Sequence, residues 1–237
     1  MDPPAVELNF AEELRFFLAP RHRAGRVTVT CDGTSSLGHV IEALGVPLTE
    51  VGELIVNKTR AGPSYQPRDG DSVLVKTVRR PQHLPVTRFV LDVHLGALAR
   101  RMRLVGLDVS YSNDLDDDAL IELANSGRRV LLTKDRGLLR RRKLWRGGYV
   151  RGQRADEQLE DVLGRFAPAL APWTRCLSCN GSLVSVPKQD VERLLLPGTR
   201  RTYQEFSRCT DCGRVYWRGA HRRRLEAIVA AATRSAS

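Results

Sequence analysis

The sequence predicts a mixed α/β chain: a small β-rich module, then a parallel α/β domain that ends in a zinc ribbon. Strand-like alternation fills residues 1–80. From residue 87, strand-period and helix-period segments alternate. Four of the five cysteines fall near the C-terminus as two C-x-x-C pairs.

In the first module Val6, Leu8 and Phe10 alternate with polar neighbours, as do Val27, Val29 and Cys31, which predicts two half-buried strands joined by a turn around residues 21–25. Cys31 reads as a core residue of such a strand rather than as a reactive thiol. Thr34, Ser35 and Ser36 offer N-caps to a short helix with apolar positions Leu37, Val40, Ile41 and Leu44, and Gly45 closes it. Residues 54–56 and 73–78 supply two more strands across a polar stretch. The order ββα-β-β fits a ubiquitin-like β-grasp domain over residues 1–80. The segment LIVNKTRAGPSYQPRDGDSVLVKTV resembles the small sulfur-carrier branch of that fold. Carriers end in a free Gly-Gly, whereas the corresponding end here reads VKTVRRPQ and continues, so carrier chemistry is not expected. Residues 81–86 form the linker.

Residues 87–172 read as a parallel α/β domain. A short apolar run at 88–93 carries one carboxylate, Asp92, late in the predicted strand. Leu95, Leu98, Met102 and Val105 keep helical spacing, residues 107–111 form a second strand, and residues 116–125 a helix with acids in its first turn. Gly127 ends that helix, and residues 129–133 make a third buried strand followed by Lys134 and Asp135. Residues 148–151 add a strand and residues 156–166 a closing helix. Such alternation implies a parallel sheet with right-handed crossovers.

In open α/β sheets, sites form beyond the carboxyl ends of the strands. Asp92, Asp114, Asp117 and Asp135 all fall at such ends. A carboxylate cluster that faces phosphates needs neutralising, which Mg²⁺ or Mn²⁺ does with oxygen ligands, and the ion can then activate water. Asp116 and Asp118 read better as a helix cap and a solvated face. Asp135, flanked by Lys134 and Arg136, has a plain ion pair as its rival reading. Asp92 within VLDV is costly to bury unless paired or metal-bound.

Residues 173–237 carry the pairs Cys176/Cys179 and Cys209/Cys212, separated by 29 residues. Each pair is followed by a small or turn-forming residue, so backbone N–H groups can turn toward the sulfurs. Four thiolates suit a closed, structural Zn²⁺ site, with a redox pair as the rival. Tyr216, Trp217 and Arg218 after the second pair suit either stacking on an unpaired base or packing of the ribbon.

The net charge of +11 is uneven. Residues 1–80 hold ten basic and ten acidic residues, residues 81–172 hold 16 against 12, and residues 173–237 hold 12 against 5. A basic surface of this kind favours a polyanionic partner through counterion release. The neutral first module suits a protein partner instead. The apolar runs are too short to span a bilayer, and residues 1–10 lack a basic start followed by an apolar core, so a cytoplasmic protein without membrane contact is expected. No Ser/His/Asp or Cys/His nucleophile and no phosphate-cradling glycine loop is present.

The stretches FVLDVHLGALARRMRLVGLDVSYSNDLDDDAL and GRRVLLTKDRGLLRRR resemble the Mut-seven C-terminal RNase family, a PIN-like nuclease fold with a zinc ribbon. The family pattern of strand-Asp, L-G-x-L-A-R, L-R-x-x-G, Y-x-x-D-x-x-D and L-L-T-x-D-R matches at Asp92, Gly96, Arg100, Arg103, Gly106, Asp108, Tyr111, Asp114, Asp117, Asp135 and Arg136. It continues through DEQL and the cysteine segments to YWRGAH. The β-grasp module likewise resembles the ubiquitin-like domain that accompanies this family. The resemblance implies a divalent-metal-dependent ribonuclease acting through Asp92, Asp114, Asp117 and Asp135. The alternative is a tRNA- or ribosome-associated RNA-binding factor with weak or no cleavage. Expected RNA contacts are Arg100, Arg101, Arg103, Lys134, Arg136, Tyr216, Trp217, Arg218, Arg222, Arg223 and Arg224.

Overall fold

A computed structural model describes residues 4–217, 219 and 222–236. Contacts divide the chain into two units, Met1–Arg80 with Thr133–Tyr149, and Pro81–Leu132 with Val150–Ser237. In chain order the first stretch holds β1 (Ala5–Phe10), β2 (Arg26–Thr30), α1 (Leu37–Ala43), β3 (Val51–Val56), β4 (Thr59–Ala61) and β5 (Ser72–Thr77). Then come β6 (Arg88–Leu91), α2 (Gly96–Leu104), β7 (Asp108–Tyr111), α3 (Asp117–Ser126) and β8 (Val130–Thr133). The segment that rejoins the first unit carries α4 (Arg136–Leu139) and β9 (Gly147–Tyr149). The rest holds α5 (Ala155–Phe166), β10 (Leu183–Val186), α6 (Lys188–Val191), α7 (Pro197–Thr202), β11 (Phe206–Cys209), β12 (Val215–Trp217) and α8 (Arg222–Ala236).

The first unit is a five-stranded sheet in the order β2-β1-β5-β3-β4, with β1 parallel to β5 and antiparallel to β2. Alternation on β1 buries Val6, Leu8 and Phe10, and Cys31 lies in the same core. Helix α1 starts where Ser36 Oγ accepts from the N–H of His39, at 3.3 Å, and buries Leu37, Val40 and Ile41. Gly45 follows at φ +101°, where a Cβ would come within 2.8 Å of the Phe17 carbonyl oxygen. The link between β1 and β2 differs from the simple turn expected. It contains 3-10 turns over Glu12–Phe17 and Pro20–His22, because Leu14, Phe17 and Leu18 carry a helical-turn spacing that seats them in the core. The short strand β4 was also unexpected. Asn57 and Lys58, at φ 48° and 70°, form a two-residue hairpin with both residues left-handed, a turn usually signalled by Asn-Gly.

In the second unit β6 lies between β7 and β8, parallel to both, with Leu91 opposite Tyr111 on one side and Leu132 on the other. All three strands therefore end level. Phe89, Leu91 and Leu132 pack with Leu98 and Met102 of α2 and with Leu159, Val162 and Leu163 of α5. Ile228, Val229 and Ala232 of α8 pack on the same core. Gly106 closes the α2–β7 connection at φ +87°; a Cβ there would stand 1.9 Å from the Ala171 carbonyl oxygen, so only glycine fits. An antiparallel sheet, β10-β11-β12, forms the ribbon. No helix among the described residues is long and apolar enough to cross a membrane.

Candidate active site and metal centre

Asp92 sits one residue beyond β6 rather than inside the strand. Its N–H extends the ladder by donating to the Leu132 carbonyl at 3.0 Å, and its backbone (φ −60°, ψ 152°) opens the 3-10 turn Val93–Leu95. The residue is only 7% exposed, so its carboxylate is held close to the end of the central strand. Beside it, Tyr111 at the end of β7 donates its hydroxyl to the Val93 carbonyl at 2.8 Å. Gly96 makes room for that ring: a Cβ would lie 2.5 Å from the Tyr111 oxygen.

The other acids occupy distinct local settings. Asp114 is exposed in the turn after β7 and accepts from the Ser112 hydroxyl. Asp116 caps α3 by accepting from the N–H of Ala119 at 2.8 Å, in line with its reading as a cap. Asp117 and Asp118 are exposed in the first turn of α3. Asp135 follows β8 and caps α4, its Oδ1 accepting from the N–H groups of Gly137 at 2.6 Å and Leu138 at 3.3 Å. Among the described residues no three carboxylates are grouped to share one ion; the four cysteines are so grouped.

The four Sγ atoms lie within 4.8 Å of one another, with 3.7 Å between Cys176 and Cys212 and 3.4 Å between Cys179 and Cys209. A tetrahedron with Zn–S bonds of about 2.3 Å has edges of about 3.8 Å, so the set fits an ion of this kind. Asn180 (φ 75°) and Gly213 (φ 71°) turn the chain after each pair. Gly181 is required as well, since a Cβ would sit 2.9 Å from Cys209 Sγ. Burial opposes ionisation of Cys176, but hydrogen bonds from Tyr216 Oη and from the N–H groups of Cys179 and Ser178 outweigh it and bring the thiol down to about 6. Burial and the three neighbouring sulfurs push Cys179 up to about 12, despite the Gly181 N–H. Four thiolates at this spacing would repel one another, and a bound divalent cation would relieve that repulsion.

The ribbon is anchored to its own domain by residues with no sequence flag for that role. Arg103, 3% exposed, donates to the carbonyls of Val109, Leu177 and Ser178, at 2.7 Å for the last. Asn180 Oδ1 accepts from the N–H of Val109 and its Nδ2 donates to Asp108, both at 2.9 Å. Asp108 also pairs with Arg129 at 2.7 Å. Several of the expected RNA-contact residues have partners within the chain. Arg103 is spent on the knuckle backbone. Arg136 spends both terminal nitrogens on the carbonyls of Phe16 and Phe17. Tyr216 is half-buried with its hydroxyl 3.0 Å from Cys176 Sγ, a contact that suits packing of the ribbon. Arg101 pairs with Asp156 at 2.7 Å. Arg100 is exposed, Lys134 is half-exposed and Trp217 is 41% exposed. Arg218 and the side chains of Arg222, Arg223 and Arg224 lie outside the described residues.

Two consequences are measurable. Arg103→Met is expected to cost about 3 kcal/mol, since charge-assisted bonds from one buried guanidinium to three carbonyls disappear together. Chemical denaturation checks this, and a change under about 0.5 kcal/mol would refute the anchoring role. Burial opposes ionisation of Asp108, yet the bonds from Arg129 and Asn180 leave its pKa depressed. Its stabilisation is therefore full above the unfolded carboxylate value of about 4 and fades as pH falls through the lower folded value. Asp108→Asn should flatten the acid limb of the stability profile.

A family model described as the Mut7-C RNAse domain matches residues 87–229, and a Mut7-C ubiquitin model matches residues 3–83. The chain belongs to the Mut7-C RNase domain family. Neither the curated proteins nor the solved structures compared include a match. Family membership brings a nuclease-like function to residues 87–229 and a ubiquitin-like module to residues 3–83. Within the Mut7-C domain, the matched glycines are explained by close approach at Gly96 and Gly106, and the matched Arg103 and Asp108 by ribbon anchoring. The sequence signal that pointed to Asp108 and Asn180, an acid opening a strand and an Asn after a C-x-x-C pair, is too common to stand out alone.

Proposed function

We propose that this protein is a divalent-metal-dependent ribonuclease, with Asp92, Asp114, Asp117 and Asp135 supplying the metal-binding and catalytic carboxylates and the four cysteines holding a structural Zn²⁺. The observation that carries the reading is the setting of Asp92. It is a buried carboxylate at the end of β6, between the parallel strands β7 and β8 that end level with it, in an RNase-family domain. The carboxylate oxygens are hard ligands suited to Mg²⁺ or Mn²⁺, which would neutralise the scissile phosphate and activate water. The chain's own part is to present oxygen ligands at the strand ends and to keep the Asp92 side chain oriented. The cysteine set, with every corner occupied by sulfur, has no open position for chemistry and serves the fold.

RNA is held by the basic surface of residues 81–237, with Arg100, Lys134, Trp217, Arg218, Arg222, Arg223 and Arg224 as contacts. RNA affinity should fall steeply with salt, and each neutralised contact should flatten a log–log salt plot by about 1. An affinity independent of salt between 50 and 200 mM, a range over which about six phosphate contacts would cost roughly a thousandfold, would refute this. The ubiquitin-like module suits a protein partner in addition.

The functional reading is tested by incubating the zinc-loaded full chain with labelled total RNA and Mn²⁺, beside a chelated control. Cleavage that disappears with chelator and returns with Mn²⁺ is expected. The concentration of positive charge in residues 173–237 favours a second reading, an RNA-binding factor associated with tRNA or the ribosome. Tight RNA binding without cleavage under any divalent ion would establish that one instead.

A further inference from the structure

Residues 133–149 group with the β-grasp module in one compact unit. Three ties hold this segment. At its start, the Arg136 guanidinium donates through Nη1 to the Phe17 carbonyl at 2.9 Å and through Nη2 to the Phe16 carbonyl at 3.0 Å. The same group lies 5.3 and 5.1 Å from the centroids of the Phe16 and Phe17 rings. In the middle, Arg140 Nη1 donates to the Glu42 carbonyl at 3.0 Å. At the end, the Tyr149 N–H donates to Glu50 Oε1 at 2.8 Å, and its ring meets that of Phe17 edge-on at 5.1 Å. Glu50 is 1% exposed, so the acceptor of this last tie is buried.

The 3-10 turn Glu12–Phe17 that receives Arg136 is the insertion between β1 and β2 noted above, and the residue immediately before Arg136 is Asp135. Asp135 is fixed from one side by its bonds to Gly137 and Leu138 and from the other by its own N–H, which donates to Thr133 Oγ1 at 2.8 Å. The turn that presents this carboxylate is therefore built on the floor of the β-grasp module.

We propose that Arg136 is a positioning residue for Asp135, and that the β-grasp module acts as a brace for this catalytic turn within the same chain. The proposal rests on the nuclease reading for its catalytic half and on the geometry alone for its structural half. A guanidinium that bridges two successive carbonyls and stacks on both of their rings defines an orientation that an ammonium reproduces only in part, because lysine offers a point charge in place of a planar fork. A displaced carboxylate loses rate rather than affinity, since about 1 Å of misplacement costs up to about a hundredfold in turnover.

The experiment compares full-length wild type with Arg136→Ala and Arg136→Lys, each checked for zinc content. It reads kcat and KM for labelled RNA at saturating Mn²⁺, together with amide hydrogen exchange across the chain. Arg136→Ala should lower kcat by about tenfold or more with KM within about twofold. It should also speed exchange at Gly137 and Leu138 while β1–β5 stay protected. Arg136→Lys should fall between the two. Unchanged kcat with unchanged exchange would overturn the proposal, and so would exchange that rises equally throughout the β-grasp sheet. If wild type does not cleave RNA, the nuclease reading fails. The brace is then judged on exchange alone: slow Gly137 and Leu138 amides that are released by Arg136→Ala support it, and amides indifferent to the substitution refute it.

Discussion

Cys209→Ser is expected to leave the chain without its zinc and to melt the ribbon. Wild type should carry about one Zn per chain, because four sulfurs close a tetrahedral site. Cys209 is 2% exposed at the end of β11 and its sulfur is 3.4 Å from that of Cys179, so serine would put a weakly coordinating hydroxyl at a buried corner. The binding energy of a structural zinc is folding energy, on the order of ten kcal/mol in small metal-dependent domains, which is far more than a three-stranded ribbon holds in its own core. The consequences extend to Tyr216 and Arg103, which are bonded to the knuckle around Cys176. Metal analysis and thermal unfolding, with and without chelator, provide the check. A metal-free wild type with the melting curve of the zinc-loaded protein would sink the assignment. Because the ligands must be thiolates, zinc affinity should also weaken as pH falls.

Asp135→Asn is the second substitution with a large expected effect, and it isolates chemistry from folding. Asparagine caps helices about as well as aspartate, so the bonds to Gly137 and Leu138 survive while the negative charge proposed to bind metal is lost. Turnover should fall by about a thousandfold or more, the scale on which removal of a group acting directly at the reacting centre is felt. RNA affinity should stay level or rise, since a negative charge that would repel phosphate has gone. Asp118→Asn, on the exposed face of α3, should cost less than about twofold. Single-turnover cleavage and filter binding on the same preparations separate the two quantities. An Asp135→Asn protein with wild-type turnover would remove that residue from the active site.

Much of this fold was legible because its signals are local. Alternation marked β1, and helical spacing with a serine cap marked α1. Apolar runs each followed by an acid marked β6 and β8, and the paired cysteines marked the ribbon. What escaped was long-range. Arg103 and Arg136 looked like surface charges in Arg-rich stretches, and only the folded chain shows their guanidiniums spent on backbone carbonyls distant in sequence. The polar edge strand β4 escaped because its hairpin lacks the usual Asn-Gly, and the 3-10 insertion before β2 because a single helical turn leaves too little periodicity to see. Position relative to strand ends is what marks the carboxylates as candidates. Their settings were not visible: Asp92 outside the strand, Asp114 bonded to Ser112, Asp135 capping α4.

Asp92 is proposed to support metal-dependent cleavage of RNA. The most direct measurement is a Mn²⁺ titration of labelled-RNA cleavage by wild type and Asp92→Asn, purified side by side and matched for zinc. Wild type should cleave with a saturable Mn²⁺ dependence that chelator abolishes, while Asp92→Asn binds the same RNA at least as tightly and leaves it intact. Cleavage by Asp92→Asn at the wild-type rate would contradict the claim.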